Sequence, residues 1–164
     1  MVPPAWLTPL VATVAVWVFW SVLIGVLANC LPDSVLQPNG PLQRRQGPLP
    51  PGWRLDGSGL GIRIWKRWIP DAGNALPGGV RKASLVRRDP SALERLVLET
   101  RRAELVHWAL WPAWIPTALW LPPHGVLINL IFATLVNLPC LLLQRFNRQR
   151  LERSLRRMAL RDED

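Results

Sequence analysis

Hydrophobic positions in this chain gather into two long blocks separated by polar sequence. No charged side chain occurs from Met1 to Pro32 or from Leu105 to Leu143. The first block holds an apolar run from about Leu7 to Ala28. At about 1.5 Å per residue, a helix of that length crosses the hydrocarbon core of a bilayer. The second block is too long for one crossing, and Pro122, Pro123 and Gly125 interrupt it near its middle. It reads as a helical hairpin with spans of about 105–121 and 126–143. The pattern predicts an all-α membrane protein: about three transmembrane helices plus amphipathic cytoplasmic helices at the interface, with residues 1–164 forming a single domain.

The polar stretch from residue 31 to 104 is expected to form the interfacial layer. It opens with Leu31-Pro32-Asp33-Ser34 and stays rich in proline, glycine and glutamine to Gly61, a composition that disfavours regular structure. Gly57-Ser58-Gly59-Leu60-Gly61 follows no convincing strand, so it reads as a turn rather than a phosphate-binding loop. Ile62, Trp65 and Ile69 then recur at helical spacing, with Arg63, Lys66 and Arg67 on another face. That is the pattern of a short helix lying among lipid headgroups, where each cation near an anionic leaflet contributes roughly 1 kcal/mol. A glycine turn at Gly78-Gly79 leads to Arg81 and Lys82. Ser91 and Glu94 form a capping-box pattern, and nothing breaks the following helix before Pro112. Beyond the third span, residues 144–161 are expected to form a basic, partly amphipathic helix.

Charge sets the orientation of these elements. The chain of 164 residues has 20 basic and 11 acidic side chains, a formal net charge of +9. Every basic residue falls between Arg44 and Arg102 or between Arg145 and Arg161. Lysine and arginine mark the cytoplasmic side of membrane proteins, which places both segments inside. The amino terminus and the Leu121–Gly125 turn are then outside. No positive region precedes the first run, so it is read as a retained span rather than a cleaved signal. With no nucleic-acid motif present, the basic charge is assigned to the lipid surface and no nucleic-acid partner is expected. Cys30 and Cys140 lie near predicted cytoplasmic boundaries, where apolar packing is expected rather than a disulfide.

The candidate chemistry lies in E-T-R-R-A-E-L-V-H-W, Glu99–Trp108, where charge runs into the second apolar block. Ionisable groups at that depth are expensive and usually have a partner or a task. Glu104 and His107 are three apart, so their side chains can meet on one helix face. A carboxylate beside imidazole can orient the ring, and the histidine could then remove a hydroxyl proton. A charge network fixing the depth of the span explains the same residues, with Glu99 and Arg102 as a supporting pair. Glu-x-x-His would also suit half of a metal site, but no second copy occurs and His124 is predicted across the membrane, so no metal is expected. Asn137, Gln144 and Arg148 fall close to one helical face, a polar line leading from the third span to the cytoplasmic edge.

Three blocks carry a resemblance. Glu99–Trp108, Asn137-Leu138-Pro139 and Q-R-F-N-R-Q-R-L at Gln144–Leu151, with weaker matches at Pro32-Asp33 and Ile62–Ile69, resemble the glycosyl-4,4'-diaponeurosporenoate acyltransferase family of staphyloxanthin-type carotenoid biosynthesis. The resemblance implies a membrane O-acyltransferase that moves a fatty acyl group to a sugar hydroxyl of a glycosylated carotenoid or related glycolipid. On that reading His107 is the general base and Glu104 its orienter. Arg102 and Arg148 are candidates for phosphate or oxyanion stabilisation, and Asn137, Gln144 and Asn147 for positioning the sugar. Lys66, Arg67 and Lys82 would hold the phosphates of an acyl donor, acyl-CoA or acyl-carrier protein, and no cofactor is expected. No serine or cysteine has a convincing base partner, which favours direct transfer over an acyl-enzyme. The expected partners are the lipid bilayer of a bacterial-type cell membrane, the glycolipid acceptor, the acyl donor and other enzymes of the carotenoid pathway. The expected active site is cytoplasmic. The alternative is a non-catalytic membrane adaptor that binds anionic lipid or a partner enzyme.

Overall fold

The computed structural model describes residues 6–37 and 90–162. Among these the structure is helical, with no strand. Its elements are α1 (Leu7–Asn29), the single turn α2 (Asp33–Leu36), α3 (Pro90–Leu110), a 3-10 helix (Trp111–Leu119) and α4 (Pro123–Asp162). The expected interfacial helix at Ile62–Ile69, with Lys66, Arg67 and Lys82, lies outside the described residues. Among the described residues, two helices, α1 and α4, are long and apolar enough to cross a membrane.

The predicted second span is not one regular α-helix. Regular α-helix stops at Leu110, and Trp111–Leu119 winds as a 3-10 helix. Pro112 and Pro116 explain the change, because each lacks the N–H that an α-helical turn would donate four residues back. The 3-10 helix ends where the backbone N–H groups of Trp120 and Leu121 both donate to the Thr117 carbonyl. Pro139 lies inside α4 without ending it, so this 40-residue helix runs past the expected boundary at residue 143. Ser91 already lies inside α3 as described, so it is a helical residue rather than a cap preceding the helix.

The described chain divides into two compact units. The first comprises residues 6–31 and 105–141. In it α1 packs along the 3-10 helix, and three tryptophans hydrogen bond to distant parts of the chain. Trp17 donates to Asn129 Oδ1 at 2.9 Å, Trp20 to the Ala109 carbonyl at 2.8 Å, and Trp120 to Thr13 Oγ1 at 3.0 Å. Trp17 also meets Phe132 edge-on, with ring centroids 5.1 Å apart. Small side chains, Ala113, Thr117 and Ala133, are among its most deeply buried residues. Trp17→Phe should keep the aromatic contact and lose only the hydrogen bond. A hydrogen bond contributes about 0.5–1.5 kcal/mol net, so a correspondingly small fall in unfolding midpoint is expected. A fall of several kcal/mol would show that the indole has a larger structural role.

The second unit comprises residues 32–37, 90–104 and 142–162. Leu93, Leu96, Val97, Thr100, Arg101 and Glu104 are all buried. Their three- and four-residue spacing makes them one face of α3. Leu36, Leu143 and Phe146 complete the apolar part of this core. The same buried stripe thus begins apolar and ends in an arginine and a glutamate.

Candidate functional site

Four of the residues singled out by sequence, Glu104, Arg148, His107 and Asn137, fall into two polar centres, one in each unit. In the second unit Glu104 is fully buried. Arg145 Nε donates to its Oε1 and Arg148 Nη1 to its Oε2, each at 2.5 Å. Both oxygens are therefore bound by full positive charges from α4. Charge-assisted bonds of this kind are about twice as strong as neutral ones. Given a choice between two guanidiniums and an imidazole, a buried carboxylate gains more from the former.

Arg101, one turn before Glu104, is also buried. Its Nη1 donates to the Leu36 carbonyl at 2.8 Å and its Nη2 approaches Glu152 Oε1 at 3.4 Å. Burial, and after it the charge of Arg148, hold this guanidinium below the ordinary arginine pKa, while Glu152 and Glu104 act in the opposite direction. Arg102 lies nearer the surface. It donates to Asp33 Oδ1 at 2.8 Å, and its Nε stands 3.9 Å from Glu99. The Glu99–Arg102 pair expected from sequence is thus the looser of the two. Because Asp33 is well exposed, Asp33→Asn should change stability by less than about 1 kcal/mol, as thermal unfolding would show.

The first unit holds the other centre. His107, half-buried near the end of α3, pairs its Nδ1 with Asn137 Oδ1 at 3.0 Å. Asn137 is buried on α4, and its Nδ2 donates to the Ala133 carbonyl at 2.9 Å. Trp108 and Trp111 stack beside this stretch of chain, with ring centroids 5.4 Å apart. The imidazole thus has asparagine as its described partner where sequence spacing pointed to Glu104. Gln144 and Asn147 are half-buried on α4. Among the described residues, no three of His, Cys, Asp or Glu group in a way that could hold a metal ion.

Sequence reasoning did not single out Arg145 or Arg101. Arg145 and Arg148 are three apart on the last helix, the spacing that lets both reach one acceptor. That signal was legible. Which carboxylate they serve was not, since Glu104 lies 41 and 44 residues away.

A family model described as glycosyl-4,4'-diaponeurosporenoate acyltransferase matches residues 58–157, a stretch that contains both centres. Proteins of that name from Staphylococcus haemolyticus (strain JCSC1435) and Staphylococcus aureus (strain USA300) are 35% and 31% identical to this chain over 104 residues. The aligned stretch is 62% of this chain and 59% and 61% of those relatives, so it spans about three fifths of their length. No solved structure matches. With most of the chain matched and both centres inside the match, this protein belongs to the glycosyl-4,4'-diaponeurosporenoate acyltransferase family.

Proposed function

We propose that this protein is a membrane O-acyltransferase that moves a fatty acyl group from an activated thioester to a sugar hydroxyl of a glycosylated carotenoid. The observation that carries the proposal is the family match over residues 58–157, which includes His107 and Asn137. The donor is acyl-CoA or acyl-carrier protein, with Lys66, Arg67 and Lys82 assigned to its phosphates. His107 takes the proton from the sugar hydroxyl as that oxygen attacks the thioester carbonyl. The new C–O bond forms, the C–S bond breaks, and the proton leaves on the thiol. Arg145 and Arg148 are assigned to the framework, because each donates a hydrogen bond to the buried Glu104 carboxylate.

Membrane placement is supported by the surface of α1. This helix is apolar all round, yet only Ala28 among its residues is buried. Val11, Val14, Val18, Phe19 and Val22 are all more than half exposed. A helix apolar on every face is either enclosed by protein or facing lipid, and α1 is not enclosed. Its hydrogen bonds to Asn129 and Ala109 support retention of this segment rather than cleavage. The proposed topology has crossings at about 7–28, 105–121 and 126–143, with both basic segments in the cytoplasm.

The test is direct. Protein purified in detergent or nanodiscs, given radiolabelled acyl-CoA and a glycosylated carotenoid, should yield acylated glycolipid in proportion to enzyme. If neither acyl-CoA nor acyl-carrier protein gives product while the protein binds anionic vesicles, the adaptor reading replaces this one.

A further inference from the structure

Asn137 binds through both ends of its amide, and each end constrains the other. Its Nδ2 donates to the Ala133 carbonyl at 2.9 Å, which an amide oxygen in that position could not do. The amide orientation is therefore fixed by its own helix, with Oδ1 left facing His107. Oδ1 stands 3.0 Å from the imidazole Nδ1 and can only accept a hydrogen bond. A bare Nδ1 would set two lone pairs against each other in a buried place. Nδ1 must then carry the proton, and in the neutral ring the lone pair sits on Nε2.

We infer that Asn137 is a positioning residue that locks His107 in the Nδ1–H tautomer, so that Nε2 is the atom that accepts the sugar hydroxyl proton. Asn137 acts through the imidazole, where sequence had suggested a contact with the sugar. Ala133, fully buried one turn earlier, supplies the backbone acceptor that sets the amide orientation. Glu104, held by two arginines, has no part in this arrangement. The catalytic consequence rests on the acyltransferase reading, whereas the tautomer itself does not.

The chain contains just two histidines, His107 and His124, so selective ¹⁵N-histidine labelling of the full-length protein reports two imidazoles. Spectra of His124→Gln assign them. Above the titration range of imidazole, His107 should show a protonated Nδ1 and an unprotonated Nε2. Asn137→Leu should remove this bias, giving a mixture or the Nε2–H form. In the transfer assay the same variant should lower kcat by about tenfold with KM for the acyl donor unchanged. That is less than the roughly 10²- to 10⁴-fold contribution of a general base, because the active tautomer is depleted and not abolished. An Nε2–H ring in the wild-type spectrum overturns the inference, even if Asn137→Leu does not fold. So does a folded Asn137→Leu that keeps the wild-type tautomer. The expected spectra from a protein that transfers no acyl group would leave the tautomer lock standing and sink the acyltransferase reading instead.

Discussion

Glu104→Leu is expected to destabilise the protein by about 3–5 kcal/mol, the usual consequence of removing one partner from a buried ion cluster. Arg145 and Arg148 would keep their charges but lose the carboxylate that holds both guanidiniums. Arg101 would also lose the favourable field of Glu104 and keep the repulsion of Arg148. Against a typical total stability of about 5–15 kcal/mol, such a loss is a large fraction of what holds the fold. Thermal unfolding in detergent, together with the yield from membranes, measures it. The control is the triple variant Glu104→Leu, Arg145→Met, Arg148→Met, which replaces charges with apolar groups of similar volume and should recover much of the loss. Were the single variant to unfold at the wild-type temperature, the cluster would have no structural role.

The second large effect is expected at His107. His107→Ala should lower acyl transfer by roughly 10²- to 10⁴-fold, the usual contribution of a general base. It also removes the partner of Asn137 Oδ1, and an unsatisfied buried acceptor costs about 1–3 kcal/mol. A lower unfolding midpoint could then be mistaken for a catalytic defect. His107→Gln separates the two, since its amide can still donate to Asn137 but is no base at neutral pH. Both variants should lose transfer, and the glutamine variant should unfold closer to wild type. Normal transfer by folded His107→Gln would reject His107 as the base.

Glu104 and His107 belong to different centres, although they are neighbours on one helix. Their separation follows from competition for partners. In the sequence they look like a pair because three residues bring two side chains onto one face. In the folded chain each has a better partner from α4: guanidiniums for the carboxylate, an oriented amide for the imidazole. Local spacing gives the set of possible contacts, and the contacts formed are those with the lowest energy after packing.

Some features were legible from residues alone. The charge-free runs at Met1–Pro32 and Leu105–Leu143 pointed to apolar helices long enough to cross a membrane, because the length and composition that requires are visible without any fold. Asn137 and Arg148 were visible as polar positions on a helical face. The blocks at Glu99–Trp108 and Gln144–Leu151 pointed to the family, which the match over residues 58–157 shows. The form of the second apolar stretch was less accessible. Its composition suits a span, yet Pro112 and Pro116 turn nine residues into a 3-10 helix, and the extent of such rewinding depends on what packs against it.

The sequence by itself thus determined the helical character of the described residues, the placement of charge and the family. Only the tertiary structure decided that Glu104 is bound by Arg145 and Arg148 and that His107 is held by Asn137. The physical reason is range. Apolar length and helical periodicity are local properties, whereas the partner of a buried charge or imidazole comes from residues 30 to 44 positions away.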